Sequence, residues 1–311
     1  MKNVLMYYYN LQPKNIHQKK DIYYFKIKNE NYYMLPVYRS NNELCSIYEI
    51  NRELINKKLL IHQIILNKQN NILIQFNGLN YILLKSYLKK DRKIYLKDIN
   101  FLESNTNVIK TDTVLNKSNW ASLWENKNDY LEYQISQLGI NHPVVVDFFA
   151  YYIGLAENAI LYAKNTSIDV KPDFLDNLVI CHRRINNYST LFDLFNPLEF
   201  VIDHKTRDIA EYIKFKFFYD KANLWDEIHM YFSNNNLSLY GARMFYARLL
   251  YPTYFFDIYD NILEGMGSEK DLVHIVEKQE EYEEFLVDIY NFLRLKYNIP
   301  EIEWLIKKWY K

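Results

Sequence analysis

The sequence predicts an α+β protein of two lobes, a small β-rich lobe over residues 1–88 and a larger, mainly helical one over residues 89–311. Three observations carry this. Between residues 21 and 84, β-branched and aromatic residues flank short polar turns, the pattern of half-buried strands. From Ser118 onward, apolar residues recur at helical spacing. Within residues 178–213 the chain reads strand, polar loop, strand, helix. Leu178, Val179 and Ile180 lead to His182, Phe200, Val201 and Ile202 end on Asp203, and a helix opens with Thr206, Arg207 and Asp208.

Taken in order, residues 21–37 (DIYYFKIKNENYYMLPV) form two strands around a polar turn at 28–31. Residues 43–60 have helical spacing through Leu44, Ile47, Tyr48, Leu54 and Ile55, with Glu43, Glu49 and Glu53 on a solvated face. Residues 62–66 and 71–76 alternate around a turn at 68–70, and 79–84 adds a strand. The charged, non-periodic stretch 85–93 is the expected hinge. Ser118 caps a helix that runs to Leu138, with Gly139 as its stop. Pro143 sits in the first turn of the next helix, which reaches about Lys164 and should be the buried spine of the larger lobe. Glu157 and Asn158 interrupt its apolar run, as a solvated face or a satisfied polar contact. Further helices are expected at 214–232, 239–250, 253–263, 269–296 and 301–310, with a break at 265–268. Glu277, Glu280, Glu281, Glu283 and Glu284 read as a solvated face of the long one, with an acidic docking surface as the other reading.

The segment 178–213 resembles the catalytic segment of protein-kinase-like phosphotransferases, above all the aminoglycoside and choline kinase branch. There the loop reads His-x-Asp with Asn five residues later, and the second strand ends in an aspartate that holds Mg²⁺. By position, His182 matches the histidine, Arg184 stands at the catalytic aspartate, Ser189 at the asparagine and Asp203 at the metal aspartate. Arg207 and Asp208 match the start of the helix that follows, where Thr206 is a ready cap and an acid in the first turn is stabilising. Arginine is permanently protonated, cannot serve as a base at neutral pH and repels a divalent cation. Loss of a general base alone removes roughly 10²–10⁴-fold of rate.

The small lobe departs from the same pattern independently. No glycine precedes Gly78, so residues 1–77 lack the positive-φ positions of a glycine-rich phosphate loop. Relatives end the second strand on a lysine that grips the nucleotide phosphates. Here Pro36 takes that place, with neither charge nor donor.

The chain as a whole resembles the CotS/YutH group of spore-coat-associated proteins of endospore-forming Firmicutes, which carry this two-lobed protein-kinase-like fold. The resemblance rests on residues 132–164, on CHRRI at 181–185, on IDHKTRDIAEYI at 202–213 and on GARMFYARLLYPTYFF at 241–256. It implies a component of the spore coat, made in the cytoplasm of the mother cell and then placed in the coat, with other coat proteins as partners.

Composition fits this without deciding it. Lys+Arg and Asp+Glu balance at 38 each, so there is no global field for nucleic acid or an anionic membrane. Two cysteines, Cys45 and Cys181, give no disulfide framework. Seven scattered histidines give no zinc spacing. The start lacks an apolar signal region and no run of about twenty apolar residues follows, so neither a signal peptide nor membrane insertion is expected. The thirty tyrosines read as half-buried packing in an Asn-, Lys- and Ile-rich chain rather than as cross-linking sites.

The expectation is a pseudokinase with no catalytic residue, no cofactor and no metal, Asp203 being the one candidate ligand. The guanidinium of Arg184 or Arg183 is expected to replace the metal beside Asp203. Two alternatives stay open: a small-molecule phosphotransferase using ATP and Mg²⁺ with Asp203 and Glu199 or Asp193 as ligands, and a regulator that binds ATP without Mg²⁺.

Overall fold

A computed structural model of the chain describes residues 1–107, 114–138 and 142–309. The chain divides into two compact units that interleave along the sequence. Met1–Asp98 and Tyr188–Ile202, with the stretch ending at Asn116, form the first, and most of the remainder forms the second.

The first unit is built on an antiparallel six-stranded sheet in the order β1-β2-β3-β6-β4, with β5 paired to β6. The strands are β1 (Ile16–Lys19), β2 (Ile22–Ile27), β3 (Glu30–Pro36), β4 (Gln63–Ile65), β5 (Ile74–Phe76) and β6 (Leu79–Ser86). Alternation sets the faces: Tyr23 and Phe25 of β2 are buried, whereas Ile22, Tyr24 and Lys26 are exposed. The buried face packs Tyr23, Phe25, Tyr32, Met34, Ile74, Tyr81 and Leu83 against Leu5 of helix α1 (Lys2–Tyr9). Asn77 and Gly78 both have positive φ, which closes the β5–β6 hairpin. Helix α2 (Asn41–Asn56) is tied to β4 by the buried Asn51, which donates to His62 O at 2.7 Å and accepts from Ile64 N at 2.9 Å.

α1 and β1 were not expected. α1 buries only Leu5, and β1 is an edge strand with a single apolar residue, so neither carries a periodic signal. The expected hinge is shorter than 85–93, because Lys85 and Ser86 extend β6 and Lys93 bridges to Thr190. Within the first unit, helix α6 (Leu191–Leu194) is one turn long and a 3₁₀ turn follows at Pro197–Glu199.

The second unit is mainly helical. It holds most of α3 (Leu96–Asn105), and then α4 (Trp120–Leu138) and α5 (Pro143–Asp169). The expected stop of α4, Gly139, lies outside the described residues. α5 buries eleven side chains, among them Phe149, Ile153, Ala156 and Ile160, and packs on α4 and on α9 (Leu239–Leu250). By length and composition alone α5 is apolar enough to cross a membrane, a property that a buried core helix shares. Asn158 is satisfied by Gly154 O and by Trp304, and Glu157 is exposed.

Two expected long helices are each divided. Residues 214–232 fall into α7 (Thr206–Tyr219) and α8 (Leu224–Asn234), separated at Asn223 with φ 57°. Residues 269–296 fall into α11 (Glu269–Val276) and α12 (Gln279–Arg294). α10 (Thr253–Leu263) ends before Gly265 at φ 71°, and Ser268 caps α11. α13 (Glu303–Trp309) is followed by Tyr310, outside the described residues. The acidic row on α12 is not simply a solvated face, since Glu283 is buried and bonded to Tyr151 and Lys308.

Tyrosines supply much of the interior, with Tyr152, Tyr212, Tyr246, Tyr259 and Tyr282 among the largest fully buried side chains. Four of these phenols end on protein acceptors, Glu227 for Tyr212, Leu286 O for Tyr246, Leu131 O for Tyr259 and Leu249 O for Tyr282, whereas that of Tyr152 is buried with no partner among the described residues.

Candidate functional site

Strand β7 (Leu178–His182) brings His182 to the end of β8 (Phe200–His204), where α7 begins. Cys181, buried beside it, makes its sulfur contacts with the carbonyls of Asp203 and His204, and burial pushes its thiol pKa well up. His182 is buried and locked to Asp208 by two contacts. Its backbone N–H donates to Asp208 Oδ1 at 3.1 Å, and its Nδ1 lies 2.6 Å from Asp208 Oδ2. The first turn of α7 thereby holds the loop that follows β7.

Asp203 is fully buried and its carboxylate receives three donors. Oδ1 accepts from the indole Nε1 of Trp120 at 2.8 Å and from the backbone N–H of His204 at 2.7 Å. Oδ2 accepts from Arg207 Nη1 at 2.5 Å. A carboxylate offers about four acceptor positions, so one is left beside a guanidinium. Arg207 also donates to the carbonyls of His182 at 3.0 Å and Arg183 at 3.2 Å, which clamps the loop. Burial opposes the charge on Arg207, but Asp203 and Asp208 outweigh it and raise its pKa.

The cation beside Asp203 is therefore Arg207, and the expectation of Arg184 or Arg183 is corrected. Arg184 turns to Asp257 of α10 at 2.7 Å, with about two-fifths of its side chain exposed. Burial raises the pKa of Asp257 while Arg184 pulls it back. Thr206 is not the cap of α7 either. Its hydroxyl bonds His204 Nδ1 at 2.8 Å, and His204 Nε2 reaches Asp176 at 3.1 Å.

A buried ion cluster supports this centre from below. The Arg248 guanidinium lies 4.8 Å from the Trp120 ring and 5.6 Å from that of Trp124. Its Nε donates to Glu211 at 2.8 Å. Lys214, 1% exposed, donates to Glu211, Thr253 and the carbonyls of Arg248 and Tyr251. Burial works to raise the pKa of Glu211, but Lys214 and Arg248 overcome it and hold the carboxyl well below its usual range. Glu103 of α3 contrasts with Glu211: its Oε1 is buried with no partner among the described residues, and burial, with Asp208 nearby, raises its pKa well above the usual value.

The remaining expected positions, Pro36 and Ser189, belong to the first unit. Pro36 closes β3 opposite Tyr81. The cation that follows it is Arg39, whose guanidinium donates to Leu198 O and Phe200 O at 2.8–3.0 Å and pairs with Glu43 at 3.0 Å. Glu43 also completes a capping box with Ser40, whereas Glu49 is exposed and Glu53 pairs with Lys57 on the surface. Ser189 is buried and its carbonyl accepts from Ile94 N. Asp193 is spent on capping, accepting from Thr190 N and Oγ1, and Glu199 sits in the 3₁₀ turn. Among the described residues no group of three His, Cys, Asp or Glu side chains could hold a metal ion.

A family model described as the spore coat putative kinase YutH matches residues 2–289. The chain belongs to the YutH family. It is 26% identical over 315 residues to the endospore coat-associated protein YutH of Bacillus subtilis, covering 91% of each chain. Among solved structures it is similar to an aminoglycoside phosphotransferase from Alicyclobacillus acidocaldarius, with a TM-score of 0.64 at 11% identity, covering 92% of this chain and 94% of that one. It is similar also to amicoumacin kinase, with a TM-score of 0.57 at 12% identity over 91% and 92% of the chains. These likenesses establish the aminoglycoside-phosphotransferase-like kinase fold, and in this YutH chain the fold carries Arg207, Trp120 and His204 around Asp203.

Trp120, Arg39 and Arg248 are the site-building residues that sequence reasoning missed. A buried indole needs a partner for its N–H, which was the available signal for Trp120. Nothing local marks Arg248, whose partner Glu211 lies 37 residues away, and although Arg39 has Glu43 four residues on, its carbonyl acceptors at Leu198 and Phe200 lie 159 and 161 residues away.

Proposed function

We propose that this YutH-family chain is a non-catalytic, kinase-fold component of the bacterial spore coat, acting through its surface on other coat proteins. One observation carries the reading: the carboxylate that a phosphotransferase presents to Mg²⁺ is here bonded to Arg207, Trp120 and His204 N. ATP with Mg²⁺ is what the fold family implies, and these residues do not fit it. A divalent ion at Asp203 would stand against the Arg207 guanidinium, and Arg184 supplies neither base nor ligand. The 26% identity to an endospore coat-associated protein supports the coat as the place of action, with synthesis in the mother cell.

A phosphotransferase acting on a small molecule is the competing reading, favoured by the solved structures of the same fold. The deciding experiment measures γ-phosphate release by the purified chain with ATP and Mg²⁺. No turnover above background is expected. Turnover that disappears in Asp203→Ala would overturn the proposal. A parallel thermal shift locates nucleotide binding, since a ligand at 100 times its dissociation constant adds about 2.7 kcal/mol. No shift is expected with ATP, with or without Mg²⁺, and a Mg²⁺-independent shift would favour an ATP-binding regulator.

A further inference from the structure

The first unit carries a lysine-rimmed cavity, to which the kinase-like segment contributes Phe192. This cavity of about 770 Å³ opens on one face of the sheet, and all of its lining residues belong to this unit. Lys14, Lys26, Lys28, Lys89 and Lys90 line it, with Asp91 as the one acid among the described residues. All five lysines are exposed, and among the described residues none of them is in an ion pair. Asp91, whose Oδ1 accepts from the backbone N–H groups of Arg92 and Phe192, both at 3.0 Å, is one carboxylate against five ammonium groups. Three separate parts of the chain thus deliver ammonium groups to one opening. In a protein of zero formal net charge this is a local excess.

The cavity contains a row of rings. His17 stacks on Tyr24 at 4.8 Å with planes 16° apart, Tyr24 faces Tyr33 at 6.3 Å and 26°, and Tyr33 meets Phe192 at 4.5 Å. The inner rings turn their faces to one another, which leaves no slot between them for a nucleobase. A neighbouring cavity of about 580 Å³ shares Lys14, Asn15 and His17 and adds Lys2. β1 supplies residues to both cavities, and it lies at the end of the sheet, where among the described residues β2 is its one strand partner. An edge strand offers backbone N–H and C=O groups to an added segment.

We propose that this lysine-rimmed face and the open edge of β1 form the docking site for an extended, acidic polypeptide segment of a partner protein. Charge complementarity selects the partner, the strand edge holds its backbone, and the ring row gives its side chains an apolar floor. The proposal rests on the coat-component reading, for which it names the chemistry of the partner. The chain's own acidic helix α12 is a poorer occupant, because Glu281 is paired with Lys221 and Glu283 with Lys308.

The test uses the full-length chain and a fluorescently labelled poly-L-glutamate peptide, followed by anisotropy. Saturable binding that weakens as salt rises is expected. Lys26→Glu, Lys28→Glu, Lys89→Glu and Lys90→Glu together should weaken it at least tenfold. Reversal of the exposed Lys171, Lys270 and Lys307, all in the second unit, should leave it within twofold. Circular dichroism melting shows that each variant is folded. A peptide N-methylated at alternate residues should bind several-fold more weakly, and equal binding would remove the strand edge from the site. The proposal is overturned if the parent does not bind, or if both sets of reversals weaken binding alike. It is overturned too if ATP without Mg²⁺ displaces the peptide from the parent at micromolar concentration, which makes the cavity a nucleotide site. Dimerisation of the parent that the quadruple variant abolishes would assign the face to a second copy and also overturn it. None of these outcomes depends on phosphate turnover, so the non-catalytic reading stands or falls separately.

Discussion

Arg207 and Asp203, four residues apart, meet at 2.5 Å across the junction of β8 and α7. The arginine has about a tenth of its side chain exposed and the aspartate none. A buried pair of this kind is costly to break from one side, because the surviving charge has no water to return to. It also joins two parts of the segment, since the same guanidinium holds the carbonyls of His182 and Arg183.

Arg207→Met should therefore lower stability by about 3–5 kcal/mol, read from the midpoint of urea denaturation. Adding Asp203→Asn removes the orphaned charge and should return much of the loss. A single variant as stable as the parent would show that the pair carries no weight.

Putting the missing residues back should not create an enzyme. Arg184→Asp with Ser189→Asn supplies the aspartate and the asparagine that the resemblance implies, but Arg207 still faces Asp203. No γ-phosphate transfer is expected. Because Arg184 and Asp257 are partly exposed, the new like-charge contact should cost only about 1 kcal/mol. Transfer above background in the double variant would show that two residues alone separate this chain from activity.

Glu211 sets an acid limit on the helical unit. Its folded pKa lies below its unfolded value, so its stabilisation is complete above the unfolded value and is lost as pH falls through the folded one. Glu211→Gln strands Lys214 and Arg248 and should cost about 3–5 kcal/mol at neutral pH. The gap to the parent should close only in strongly acid solution. Denaturation midpoints measured across that range test this, and a gap that does not change with pH would contradict it.

Glu103 should behave in the opposite sense. Its folded pKa is raised, so its contribution is intact in acid and declines as pH climbs from the unfolded value toward the folded one, by about 1.4 kcal/mol per pH unit. Glu103→Gln has no such dependence, and the variant should gain on the parent as pH rises from 5 to 8. The slope of the difference is the readout, whatever new hydrogen bonds the amide makes or lacks. A flat difference would mean that Glu103 is ionised in the folded protein.

Much of the fold was legible because the signals are local. The strand Ile22–Ile27 alternates, Leu79–Ser86 carries a continuous apolar run at Tyr81 to Leu84, α9 and α10 repeat at helical spacing, and Gly265 and Ser268 mark a break that local backbone geometry requires. Where the signal is weak, the elements were missed or joined. β1 has one apolar residue, α1 buries one, and the division at Asn223 needs a left-handed residue that asparagine tolerates but does not announce. The site was legible only as a set of positions. Asp203 was expected at the metal-aspartate position and Asp208 as a first-turn acid, and neither their anchoring of the segment nor their partners could be read from spacing.

The sequence by itself determined which residues are the candidates for the kinase-like positions that the resemblance implies, His182, Arg184, Ser189, Asp203 and Pro36, because their order along the chain is fixed. Which cation meets Asp203 was decided by the tertiary structure alone. Arg184 is nearer the histidine in sequence, yet α10 offers it Asp257, while the first helical turn after β8 carries Arg207 back over the carboxylate and Trp120 comes to it from α4. Ion pairs form between neighbours in space, and the burial that makes such a pair matter exists only once the helices have packed.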